Sequence, residues 1–419
     1  MSQQGTIAVI GAGIVGAAVA HALAREGHHV LLVDRAEPGI AGASFGNVGH
    51  IAAELVQPLP SPGLLFGFWR ESFGFGGALD LPMRQALRML PWIARFAAAA
   101  FRRSENTRYL APLVRPAAAA WAAQLKDIGR SDLLRRHGHY EVELGPRAEA
   151  VVRAQTANMS ALGINIRPVS AEELLPLRRA ARAESAAGLW FEDSAHVVDP
   201  LEAVRAFVAA AMAHNATVTR LDVRGLRMRG EQIEILSERP GLRVDRAVVC
   251  AGMGSTALLE PFGLHAPLQA ARGYHIELPG HRALLDAPIV YTREHLLVTP
   301  MGGRLRASSF MEFADADAPP DARKPGRLRR MVAGLGYDCE PDGPSWVGAR
   351  PVLPDYLPAI GRAAGQPRLF YAIGHQHIGL TIAPATAALV ADLVAERSPR
   401  FPIAALDLKR FGSRSATHH

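Results

Sequence analysis

Gly11, Gly13 and Gly16 fall in the spacing G-x-G-x-x-G, and Asp34 follows eighteen residues after the third glycine. Residues of these types at these intervals suit a dinucleotide. Gly11 permits a sharp turn, Gly13 lets backbone N–H groups approach a pyrophosphate at the positive end of a helix, and Gly16 lets that helix pack closely on the preceding strand. An acidic side chain at position 34 can accept hydrogen bonds from both ribose hydroxyls of an adenosine. It also repels a 2′-phosphate, which argues against NADP.

A lone G-x-G-x-x-G arises by chance in chains rich in alanine and glycine, so the surrounding elements must agree with it. They do. TIAVI, just before Gly11, is a short, apolar, β-branched run. The helix that opens at the glycines is alanine-rich and can be capped by Gly27, and VLLVD forms a second strand ending at Asp34. Two further stretches offer small residues to a flat ligand. The loop RAEPGIAGASFGNVGHIAAE carries Ser44 and Asn47 as its polar groups and runs on through VQPLPSPGLLFGFW without a clear element, longer than an ordinary connection. VVCAGMGS is a strand running into Ala251, Gly252 and Gly254, a second place for backbone to meet a dinucleotide.

The rest of the chain reads as helices and strands around these stretches. Residues 82–103 are mostly apolar, with arginines at 84, 88, 95, 102 and 103, and Pro91 breaks any helix there. They read as a helix pair packed on the core. A second reading is contact with a membrane surface, since arginine with tryptophan and phenylalanine is typical of interfacial segments. Residues 109–130 read as a helix, GHYEVEL as a strand and 146–162 as a helix, and Asp199-Pro200 starts another helix. That order suggests a change of domain.

At 419 residues, with 49% hydrophobic and 20% charged residues, the chain is globular and long enough for two domains. No apolar run reaches about 18 residues, so no spanning helix is expected. Only Met1 to Gly5 precede the first strand, and a cytoplasmic protein without a signal peptide is expected. Cys250 and Cys339 make neither a disulfide framework nor a metal set, so no metal is expected. The net charge of +7 comes from scattered arginines. No nucleic-acid module accompanies it, which leaves an anionic substrate or an anionic membrane surface.

The chain resembles the flavin-dependent D-amino-acid oxidase and dehydrogenase family, and within it the bacterial D-amino-acid dehydrogenases. The resemblance is carried by VIGAGIVGAAVAHALAREGHHVLLVDR, ASFGNVGHIA, VVCAGMGS, RGYHIELP and VGARPVLPDYLPAIGRAAGQPRLFYAIGHQHIGLTIAPATAALVADLV. It spans nearly the whole chain. One departure is that Ala349 separates Gly348 from Arg350.

The resemblance implies an α/β fold: a Rossmann-like FAD-binding domain with a discontinuous second, α+β domain whose antiparallel sheet roofs the substrate. The implied FAD-binding segments are 1–55, 196–265 and 346–419, and the substrate segments are 56–195 and 266–345. Implied FAD contacts fall on Gly11, Gly13, Gly16, Asp34, Arg35, Ser44, Asn47 and Gly49, on Val223, Ala251 and Gly252, and on Gly374, Gly379, Leu380 and Thr381. Arg350 matches the arginine that binds the substrate carboxylate, a group its planar fork suits. His50, Tyr274 and His275 are the other implied catalytic candidates, and His375 and His377 stand where the family commonly has small residues. The implied reaction is hydride transfer from the α-carbon of a D-amino or D-imino acid to the flavin, giving an imine and then a 2-oxo acid. D-Proline and cis-4-hydroxy-D-proline are the candidate substrates, with a quinone, an electron-transfer protein or oxygen as acceptor. The alternatives are a glycine or sarcosine oxidase-like enzyme that releases peroxide, and a non-catalytic FAD-binding protein.

Overall fold

The structure, a computed structural model, describes residues 5–281, 283–340 and 343–412. Its central sheet has six strands in the order Thr217–Arg220, Val30–Asp34, Ile7–Ile10, Arg246–Val249, Leu369–Ile373 and Ala359–Arg362. The first five are parallel and the last is antiparallel. Strands covered on both faces read as continuous apolar runs, and Ile7–Ile10 is buried throughout. The helices Ile14–Arg25, Pro200–Ala213 and Gly379–Val394 pack together on one face. Asp199 starts the second of them by accepting hydrogen bonds from the N–H groups of Leu201 and Glu202. A small sheet of Gly225–Arg229, Gln232–Leu236 and Arg243–Val244 covers the other face through Ile233 and Ile235.

A nine-stranded sheet forms the roof. Its order is Ser345–Val352, Gln269–Pro279, Arg304–Phe313, Leu296–Met301, Ile289–Tyr291, His139–Leu144, Ala186–Phe191 and Ile166–Pro168, with Leu79–Asp80 beside Arg304–Phe313. Pairing is antiparallel apart from two parallel contacts, Ile289–Tyr291 with His139–Leu144 and Leu79–Asp80 with Arg304–Phe313. The helix Arg323–Gly334 buries Leu328 and Val332 against the outer face of this sheet.

Several elements differ from the sequence expectations. Ser345–Val352 is the edge of the roof sheet, so the chain returns to the cofactor side after Val352 rather than at residue 346. The helix expected over 109–130 is two helices, Arg103–Val114 and Ala117–Asp127, separated at Arg115-Pro116 because proline cannot donate to the preceding turn. Pro91 starts the helix Leu90–Ala100, which follows the short helix Met83–Arg88. The helix Pro62–Glu71 lies in the stretch read as having no clear element; it buries none of its residues. Among the described residues no helix is long and apolar enough to cross a membrane.

Candidate active site

A cavity of about 980 Å³ runs between the central sheet and the roof. Its floor is built by the glycine turn. Gly11 has φ +106°, and a Cβ there would fall on the carbonyl of Cys250; a Cβ on Gly16 would fall on the carbonyl of Gly11. Only glycine fits either position. Asp34 lines the cavity and orders the turn, its Oδ2 accepting from Ala12 N at 2.7 Å and its Oδ1 from Ala36 N at 3.1 Å. Ser44 Oγ accepts from Ile14 N at 3.0 Å, at the start of the first helix.

The remaining walls come from distant parts of the chain. Gly13, Arg35, Asn47, Val223, Ala251, Gly252, Gly374, Gly379, Leu380 and Thr381 all line the cavity. The last three open the helix Gly379–Val394, whose first-turn N–H groups have no partner within the helix and present its positive end. Thr381 Oγ1 accepts from Ala52 N at 3.2 Å, and Trp121 donates to the carbonyl of Leu380 at 2.9 Å, which together hold this end in place. Gly16 and Gly49 do not line the cavity. A Cβ on Gly49 would fall on the carbonyl of Val197, so this glycine serves packing.

Arg350 lies half-buried in the cavity wall. Its Nη1 donates to the carbonyl of Phe310 at 3.2 Å, and among the described residues no carboxylate pairs with it. Burial pulls its pKa below the ordinary arginine range; a guanidinium in a protein stays charged. Two features that the sequence reading missed shape its seat. A Cβ on Gly273 would strike the guanidinium directly, so the glycine makes room for it. Phe310 has φ +71° beside a register shift between Arg272 and Tyr274, which turns its carbonyl toward Arg350. Phe310, Met311, Trp346 and His377 complete the wall here. Burial, reinforced by the charge of Arg350, lowers the pKa of His377 to about 4, so it is neutral at pH 7.

The other candidates separate. His50 lines the cavity, with its pKa pushed well below the usual value by burial. Tyr274 and His275 are not brought to the cavity. The Tyr274 hydroxyl faces the outer helix, donating to Glu312 Oε2 at 2.7 Å and accepting from Asp321 N at 3.0 Å. His275 stacks on Trp346 and its Nδ1 donates to the carbonyl of Gly46 at 2.9 Å, so it grips the loop that carries Ser44 and Asn47. Arg306 donates to the carbonyl of Asn47 in the same loop. His375 lines the cavity but bonds to Thr386, and Gln376, at φ +52°, clamps Leu353 and Leu357.

Residues 6–393 match the family model described as FAD dependent oxidoreductase (DAO). The chain belongs to that family. Among its relatives, a D-amino-acid oxidase of Bradyrhizobium diazoefficiens is 28% identical over 97% of this chain and 98% of its own length. A D-amino acid dehydrogenase 2 of Ralstonia nicotianae is 30% identical over 96% of this chain and 100% of its own. The crystal structure of glycine oxidase from Geobacillus kaustophilus superposes with a TM-score of 0.76 over 98% of this chain and 99% of its own, at 20% identity, and shares the fold. The residues present fit the family's FAD: the cavity has a floor that only glycine allows, an acidic group at the end of the second strand and the positive end of a helix. As in other members of the DAO family, the cofactor is FAD.

Proposed function

We propose that this enzyme oxidises the Cα–H bond of a D-amino or D-imino acid, with D-proline and cis-4-hydroxy-D-proline as the first substrates to try. One observation carries the reading: Arg350 is a cation in the cavity wall to which, among the described residues, no carboxylate is paired. A substrate carboxylate supplies that partner, held by two parallel N–H bonds. The names of the relatives support the substrate class. FAD, when bound, would supply the hydride acceptor. Arg350 fixes the carboxylate, Phe310 and Met311 keep water from that end, and neutral His377 adds no second positive charge beside the substrate amine. The positive end of the helix Gly379–Val394 favours negative charge in the cavity. The oxidised substrate is an imine, which hydrolyses to a 2-oxo acid or, from a proline, remains cyclic. Anaerobic mixing with a panel of D-amino acids and imino acids tests this through bleaching of the flavin band. Bleaching without peroxide on re-aeration supports a dehydrogenase that passes electrons to a quinone or an electron-transfer protein. Peroxide release points to a glycine or sarcosine oxidase-like enzyme, and no bleaching by any amine to a non-catalytic FAD-binding protein.

We infer further that one face of the protein rests on the inner surface of an anionic membrane. Phe66, Trp69, Phe75, Met83, Leu87, Leu90 and Phe101 are all exposed and lie in one stretch of chain. The helices Pro62–Glu71, Met83–Arg88 and Leu90–Ala100 that carry most of them pack together. Arg70, Arg84, Arg88 and Arg102 supply the matching positive charge. Co-sedimentation with phosphatidylglycerol vesicles tests the inference. Binding is expected to weaken in salt and in Trp69→Ser/Phe101→Ser, and equal binding to neutral vesicles would argue against it.

A further inference from the structure

We propose that His50, Glu54 and His139 bind a divalent transition-metal ion of the zinc class, pinning the loop behind the cofactor cavity to the roof sheet. His139 sits on the roof strand His139–Leu144, is 0% exposed, and neither of its ring nitrogens makes a hydrogen bond. Nε2 of this ring lies 3.8 Å from Glu54 Oε1 and 3.8 Å from Glu141 Oε1, too far for a hydrogen bond. Nε2 of His50 is likewise buried and unpartnered. Glu54 engages Ser194 through Oε2 at 2.6 Å, which leaves Oε1 for the cluster.

Geometry and donor chemistry agree. One ligand atom from each of the three residues can be chosen so that all lie within 4.8 Å of one another. A point central to such a triangle is about 2.8 Å or less from each atom, and small side-chain rotations close that to the ordinary zinc distances of about 2.0–2.2 Å. Two imidazoles and one carboxylate are zinc-class ligands, whereas calcium and magnesium prefer all-oxygen sets. Phe191 stacks on the His139 ring at 4.5 Å, and Ser194 orients Glu54 through its second oxygen. The protein's second acidic cluster makes the contrast. Asp80, Glu312 and Asp321 also converge, but Lys324 Nζ fills the space between them at 2.6, 2.8 and 3.1 Å. Those carboxylates are already bound by an ammonium, whereas the buried ring nitrogens of His50 and His139 make no hydrogen bond and have carboxylates near His139 only at 3.8 Å.

The test uses the FAD-loaded, full-length protein without substrate, so its outcome is independent of the proposed oxidation. Cobalt(II) titration should give visible d–d bands on the red side of the oxidised flavin absorption, saturating at one ion per chain, and zinc(II) should displace them. Glu54→Gln and His139→Gln should abolish the bands while their flavin spectra report intact folding and unchanged FAD content. Should either variant fail to fold, the wild type still decides through its melting temperature, which should rise with zinc(II) and return on chelation. Substoichiometric cobalt with no change in melting temperature would overturn the proposal, as the signature of buried water or a proton-sharing network. Bands that persist in both folded variants would also overturn it, because the metal would then sit elsewhere.

Discussion

Arg272 and Arg350 occupy neighbouring strands of one sheet, a single ladder step apart: Ala271 pairs with Arg350, and Arg272 with Ala349. Their fates differ completely. Arg272 is 1% exposed and points to the outer face, where Nε lies 3.3 Å from Glu312 Oε2 and Nη2 donates to the carbonyl of Pro319. Glu312 also holds Lys324 and the Tyr274 hydroxyl, and Lys324 reaches on to Asp80 and Asp321. Arg350 points to the cavity, and among the described residues its one hydrogen bond is to the carbonyl of Phe310. Alternation along the strand thus assigns one arginine to a closed network that holds the roof together and leaves the other open to a ligand. A buried charge whose partners are all supplied by the chain is architecture; one still lacking a partner is a binding group.

The largest expected effect is at Arg350. Arg350→Met keeps much of the volume but removes the fork, and a loss of about 2–5 kcal/mol corresponds to a fall in kcat/KM of roughly 30-fold to several thousand-fold. Anaerobic stopped-flow reduction with the best D-amino or D-imino acid measures it. FAD content should be unchanged, and Arg350→Lys should recover only part of the loss. Flavin reduction at the wild-type rate and substrate dependence would break the comparison.

Glu312→Gln should produce the opposite pattern. It leaves Arg272 and Lys324 buried with less countercharge, at a cost of about 3 kcal/mol of stability, while KM for the substrate stays near the wild-type value. Urea denaturation and steady-state kinetics on one preparation read both quantities. A higher KM with intact stability would place the network at the active site after all. Asp34→Ala, on the cofactor side, should weaken FAD by on the order of 1–3 kcal/mol, measured by flavin release on dilution, with no direct effect on the roof.

Tyr274→Phe sharpens the contrast at a smaller scale. The variant loses the bonds to Glu312 and Asp321, so stability should fall by about 1–2 kcal/mol without a change in KM. A selective rise in KM would instead return Tyr274 to the substrate. The last prediction concerns pH. Hydrogen bonding to Arg323, and then Asp321's other partners, among them Lys324, holds the Asp321 carboxyl well below its usual 3.8. A depressed folded pKa gives stability that is present above pH 3.8 and is lost as pH falls below it. The stability difference between wild type and Asp321→Asn should therefore be level at higher pH and shrink under acid. A difference that grew on acidification would mean the carboxyl is not held in its charged form.

The cofactor side was legible in the sequence because its determinants are local. Gly11, Gly13, Gly16 and Asp34 lie in one βαβ unit, and the turn, the helix and the second strand all follow from neighbouring residues. The roof was less so. RGYHIELP carried the family resemblance, but which face Tyr274 and His275 take depends on a partner strand and a register shift that no local pattern encodes. Gly273 was visible in the same stretch, yet its purpose appears only when Arg350 arrives from another strand. The His50, Glu54 and His139 cluster has no motif at all, since its members meet through a short loop strand and a distant strand of the roof.

The central sheet takes its strands from widely separated parts of the chain, and this has a consequence for biosynthesis. Leu369–Ile373 lies directly beside Arg246–Val249, and the helix that closes the cavity follows it at Gly379–Val394. During translation the N-terminal βαβ unit emerges first, but the cavity cannot be complete until this late strand and helix have left the ribosome. Until then Arg246–Val249 has an unpaired edge, apolar and β-branched, of the kind that recruits other chains. The cavity's two halves are therefore joined only once residues 369–394 have been made, and a chain stopped before residue 369 leaves that edge open.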